Sequence, residues 1–222
     1  MQTKDFNELK THMMNQYGIS VDPSVESLHF ETVREALSGV ERVAQDFPEV
    51  TGRLKTITTG SSGVMSCNGS QITFNPRYYR DSTTLKETAK RQVNSGFWVK
   101  NASAMSVGAH ETGHAVEGLL IDISGKYPYR FEQVDAWNKG LEAKAIRSEA
   151  AKAIKKTPYG KGKLNTELFE AISGYAKTDA SETLAEAFAD VYANGQNANP
   201  LSLKIYELTT ETYRKYKTRG IP

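Results

Sequence analysis

The chain has a single cysteine, Cys67, among its 222 residues, so it cannot form an internal disulfide and cannot build a cysteine-based zinc site from its own thiols. That usage fits a reducing, cytoplasmic setting. It also lacks an excess of either charge: 28 basic against 26 acidic residues leave a formal +2, too weak a balance to indicate a nucleic-acid partner. The one basic cluster, Lys152, Lys155, Lys156, Lys161 and Lys163, reads as a solvated helix end and the loop after it. No apolar run approaches the ~20 residues of a membrane span, and the opening MQTKDFNELK has no signal-peptide core, so no membrane partner is expected. Internal repeats and low-complexity linkers are missing too. The expectation is one domain over residues 1–222.

What is present reads as helices around a small sheet. Helical spacing predicts elements over 3–16 and, with Phe30, Val33, Leu37, Val40, Val43 and Phe47, over 29–46. The runs RLKTITTG, GVMSCNG and SQITFNP, broken by Gly60, Gly63, Gly69 and Pro76, read as about three short strands. A helix follows over 82–93, FWVKN is a strand or a loop, and a helix starts near Ser103 and runs to about Leu120. One long charged helix is expected over about 131–155, then helices near 164–172, 180–193 and 201–217. The fold class is α+β, a small mixed sheet followed by a motif-bearing helix and a mostly helical C-terminal part.

The fourth of these helices carries VGAHETGHAVEG. Residues four apart share a helix face, so His110 and His114 can aim ring nitrogens at one point. Glu111 lies about 100° around the helix from His110, where a general base could reach a water at that point without itself being a ligand. Only four histidines occur in the chain, and two are spent here; His12 and His29 have no such partners. Gly113 sits inside the helix, where glycine costs about 1 kcal/mol relative to alanine, and so asks for a packing reason.

A catalytic zinc needs a third protein ligand and keeps one position for water. SGYAKTDASETLAEAFADVY supplies Glu182, Glu186 and Asp190, four apart on one helical face. Spacing alone leaves Glu182 and Glu186 equally eligible. Asp179 with Glu182 also matches a capping box, in which the glutamate would merely satisfy helix-end amides, and Asp190 reads equally well as part of a solvated face.

Together, HETGH and YAKTDASETLAEAFAD resemble the lethal-factor-like group of gluzincin metallopeptidases, whose second motif has the form Y-x-x-T-N/D-x-x-E-x-x-A-E-x-F. A similar pairing occurs in zincin-like modules of phage minor head proteins. The resemblance covers 57–122 and 173–195; it leaves out residues 1–50, a helical N-terminal extension, and 123–172, a helical insert. It implies a zincin-like fold with His110, His114 and Glu182 as zinc ligands, Glu111 as base, Tyr175 as oxyanion donor and Glu186 as a carboxylate behind the ligands. Asp179 stands where asparagine is commoner.

The implied activity is zinc-dependent hydrolysis of a peptide or protein substrate. SQITFNP would be the edge strand on which an extended peptide lies, unless that strand is buried and structural. The alternative is a catalytically idle zincin-like module, virion-associated, with phage structural proteins as partners and the two unmatched regions as docking surfaces.

Overall fold

A computed structural model of the chain describes residues 2–219. The chain opens with α1 (Phe6–Tyr17), whose first amides are capped by Asp5 and which ends at Gly18 in the left-handed conformation. A two-residue strand β1 (Ser20–Val21) and a 3-10 turn (Pro23–Ser27) lead into α2 (Phe30–Asp46). The short α3 (Val50–Arg53) precedes β2 (Thr56–Thr59), β3 (Met65–Cys67) and β4 (Gln71–Phe74). Next come α4 (Pro76–Tyr79), α5 (Thr84–Asn94) and the motif helix α6 (Ala104–Ile123). The remainder is helical: α7 (Arg130–Asn138), α8 (Leu141–Ile154), α9 (Asn165–Glu170), α10 (Ala180–Asn194) and α11 (Pro200–Thr218).

The architecture is α+β with a mixed four-stranded sheet in the order β1-β2-β4-β3. β2 pairs in parallel with both β1 and β4, and β3 pairs antiparallel with β4. The three strands expected from sequence are present, and a fourth comes from the N-terminal region. Residues 1–50, read as a helical extension, therefore also contribute a strand, and Leu9, Met13, Val33, Leu37 and Val43 enter the common core.

Two open alternatives are decided and one expectation changes. SQITFNP is not an edge: β4 is hydrogen-bonded on both sides, and the open strand beside α6 is β3. FWVKN forms no strand, because the amides of Phe97 and Trp98 both turn back to the Gln92 carbonyl at the end of α5. The single helix over 131–155 is two helices, α7 and α8. Gly140 (φ 61°) closes the first and its carbonyl accepts the Lys144 amide in the second.

The motif helix lies at the centre. Sixteen of its 20 residues are buried, the pattern of a helix enclosed on all sides rather than resting on one face. Small residues make the enclosure possible. A Cβ on Gly108 would fall 1.9 Å from the Ala36 carbonyl oxygen of α2, and one on Gly39 would fall 2.0 Å from the Met105 carbonyl oxygen. Farther along, a Cβ on Gly113 would stand 3.1 Å from Ala185 Cα of α10, which supplies the packing reason this glycine asked for. The close approach of α6 and α10 puts the carboxylates of one beside the histidines of the other.

Candidate metal centre

His110 and His114 project from α6 one turn apart, with ring centroids 5.0 Å from each other and planes at 82°. The facing helix α10 brings two carboxylates, one to each nitrogen of His110. Glu182 Oε2 lies 3.2 Å from His110 Nε2 and 3.5 Å from His114 Nε2. Glu186 Oε1 lies 2.9 Å from His110 Nδ1. A carboxylate only accepts, so Nδ1 carries the proton and Nε2 faces Glu182 and His114.

The capping alternative for Glu182 divides into two parts. Asp179 does cap α10, accepting the Glu182 amide at 2.9 Å. The Glu182 side chain is not returned to that cap; its Oε1 accepts the Tyr175 hydroxyl at 3.0 Å, and its Oε2 faces the histidines. Although Oε2 is buried and near two ring nitrogens, neither approach is aligned as a hydrogen bond.

That combination suits a cation. Ligands about 2.0–2.2 Å from a tetrahedral zinc are separated from one another by about 3.3–3.6 Å, close to the 3.2 and 3.5 Å that Glu182 Oε2 keeps from the two Nε2 atoms. His110, His114 and Glu182 are also the one grouping among the described residues whose ligand atoms all lie within 4.8 Å of each other.

Electrostatics bind the cluster further. Burial alone would push the His110 imidazolium down, but the adjacent carboxylates of Glu182 and Glu186 outweigh it and raise the pKa well above the usual histidine value. Burial would likewise raise the Glu182 carboxyl, and the two histidines hold it far below the ordinary range instead.

Glu111 is only 7% exposed. Burial pushes its carboxyl up, against the pull of His110 and His114, while Glu182 adds repulsion and the Cys67 amide of β3 hydrogen-bonds to it. A buried carboxylate with a raised pKa beside a candidate metal position receives a proton more readily than a solvated one. Tyr175 lies parallel to His110, with centroids 5.7 Å apart and planes at 9°. Burial and the neighbouring Glu182 push its phenol far up, so it remains a donor.

The structure therefore brings together all six residues singled out from sequence: His110, Glu111, His114, Tyr175, Glu182 and Glu186. Asp190 stays outside the cluster. It is buried rather than solvated, and accepts from the Asn194 side chain and the Asn199 amide, each at 2.8 Å. His12 and His29 sit on α1 and before α2, against Glu41 and Thr32 respectively.

Sequence reasoning missed two features. One is a cavity of about 360 Å³ whose wall includes Val64, Trp98, Val99 and Val107, with His110 and Glu111 at one side. The other is the free edge of β3. The Asn68 amide and the Val64 carbonyl bond to β4, so by alternation the backbone groups of Met65 and Cys67 point outward toward the site. Turn glycines marked this strand, but only its pairing tells which edge is open.

Searches of protein-family models, curated proteins and solved structures found nothing that matches the chain.

Proposed function

We propose that the protein is a zinc metallopeptidase of the gluzincin type, with a zincin-like arrangement of sheet and motif helix. The observation that carries this reading is Glu182 Oε2 lying 3.2 Å from His110 Nε2 and 3.5 Å from His114 Nε2, close to the edge length of a zinc tetrahedron, with the buried carboxylate of Glu111 beside them. These three residues would hold the ion. When bound there, zinc supplies Lewis acidity, polarising the scissile carbonyl and making a water acidic enough to attack near neutral pH.

The chain's own residues do the rest. An extended peptide lies along β3 and pairs with the outward amide and carbonyl of Met65, since the Cys67 amide is engaged by Glu111. The adjoining cavity takes an apolar side chain of that peptide. Glu111 accepts the proton of the attacking water and returns it to the leaving amine. Tyr175 shifts its hydroxyl from Glu182 to the oxygen on which charge develops. Glu186 holds His110 with Nδ1 protonated, so that Nε2 keeps its lone pair.

A second reading, an idle module within a phage virion or another assembly, draws on the exposed Tyr129, Phe131 and Val134 of the region 123–172 as a contact surface. Peptide-library cleavage by zinc-loaded protein separates the two. A peptidase produces new termini that vanish with a chelator and return with zinc; an idle module binds zinc and cleaves nothing.

A further inference from the structure

Phe97 is 40% exposed at the rim of the cavity, a place where a large apolar ring needs a reason. Its ring stacks on Tyr175, with centroids 5.2 Å apart and planes at 28°. Tyr175 in turn stacks on His110, making a three-ring column that ends on a candidate ligand. The backbone holds this column from two sides. Gly96 (φ 71°) follows α5 in the left-handed conformation, and the Phe97 amide bonds to the Gln92 carbonyl at 2.9 Å. The carbonyls of Gly96 and Phe97 then accept the amides of Gly174 and Tyr175 at 2.7 and 3.1 Å. Gly174 permits the approach, since a Cβ there would stand 3.3 Å from Phe97 Cα and 3.4 Å from its ring.

We propose that Phe97 is a positioning residue: clamped over Tyr175, it fixes where the Tyr175 hydroxyl lies and, through that hydroxyl, the orientation of Glu182. The inference rests on the metal-site reading above, and goes beyond it by making the 95–102 loop part of the site. The Tyr175 ring stacks against both Phe97 and His110, and the hydroxyl at its tip reaches Glu182 Oε1 at 3.0 Å. Removing one neighbour frees the ring to tilt, and a tilt at the ring is a displacement at the hydroxyl. A residue that merely lined the cavity would touch substrate and leave Glu182 alone.

The test combines two measurements on the full chain. The first is proton NMR of metal-free protein, following the contact between the Tyr175 and His110 rings. Phe97→Ala is expected to weaken or abolish that contact, whereas Phe97→Tyr, which keeps a stacking ring, preserves it. The second is zinc affinity in a double-mutant cycle of Phe97→Ala with Tyr175→Phe. Phe97→Ala should weaken zinc binding, approaching the roughly tenfold that marks the low end of losses for outer-shell partners. In the Tyr175→Phe background it should cost nothing further, because the hydroxyl through which it acts is gone. Additive losses, or an unchanged ring contact in Phe97→Ala, overturn the proposal. Phe97→Leu, which fills most of the volume without stacking, replaces Phe97→Ala in both measurements if that variant fails to fold. If the parent binds no zinc, the metal-site reading falls, and the NMR contact still decides whether Phe97 positions Tyr175.

Discussion

Replacing Glu186 by alanine removes the one group that fixes the tautomer of His110. The bond from Nδ1 to Glu186 Oε1 is 2.9 Å, and the residues are 7% and 4% exposed, so water cannot substitute for it readily. A hydrogen bond to a charged group contributes about 1.5–3 kcal/mol net. Outer-shell losses of 10–100-fold in metal affinity correspond to about 1.4–2.7 kcal/mol, so two independent routes give the same range. The pH enters with a definite sign. Glu186 helps to raise the His110 pKa, and in metal-free protein below that pKa a proton must leave before zinc binds. Removing Glu186 lessens that competition, which partly offsets the loss at low pH and leaves it fully visible once His110 is neutral in the parent. Zinc affinity, measured by competition with a chromophoric chelator across a pH series, should therefore fall more in Glu186→Ala as pH rises. Glu186→Gln, whose amide oxygen still accepts, should lose less. Equal affinities of parent and Glu186→Ala at every pH would refute the reasoning, provided that melting curves show both folded.

Other perturbations discriminate among the remaining assignments. Glu182→Ala should strip most of the zinc, since two histidines alone hold it poorly; a change in melting temperature with zinc affinity intact would return Glu182 to a capping role. Glu111→Gln should keep zinc and raise the melting temperature of metal-free protein at neutral pH. The sign follows because a carboxyl with a raised folded pKa costs stability once ionised, and the amide removes that cost; a lower melting temperature would contradict the burial argument. Tyr175→Phe should weaken zinc binding no less than Phe97→Ala does, since the hydroxyl on Glu182 is lost outright, and at full zinc loading should slow turnover ~10²-fold or more; an unchanged rate constant would reduce Tyr175 to a packed aromatic. Gly113→Ala should weaken zinc binding as well as stability: the helix gains about 1 kcal/mol from alanine, but crowding against Ala185 costs about 1–3 kcal/mol and moves α10. A stabilised variant with parental affinity would show that α10 has room to adjust.

The candidate site was more legible in the sequence than the fold around it, for a physical reason. Side chains four apart on a helix share a face whatever surrounds the helix, so His110 with His114 and Glu182 with Glu186 could be paired by counting. Which glutamate meets Nε2 depends on the height at which α10 crosses α6. The small contacts at Gly113 and Ala185 set that height, and no local rule predicts it. Strand β1 escaped because two residues carry no alternation, and the break at Gly140 because charged, helix-favouring residues continue on both sides of it. The open edge of β3 and the Phe97 column are products of long-range pairing, between strands in one case and between 96–97 and 174–175 in the other.

The central claim is that Glu111 acts as the base in metal-dependent peptide hydrolysis. The most direct measurement compares new peptide termini, detected by mass spectrometry, in one library incubated with zinc-loaded parent and with zinc-loaded Glu111→Gln of equal metal content. The account predicts cleavage by the parent alone, with apolar side chains enriched at one position beside the cut. No cleavage by the parent, or equal cleavage by both proteins, would contradict it.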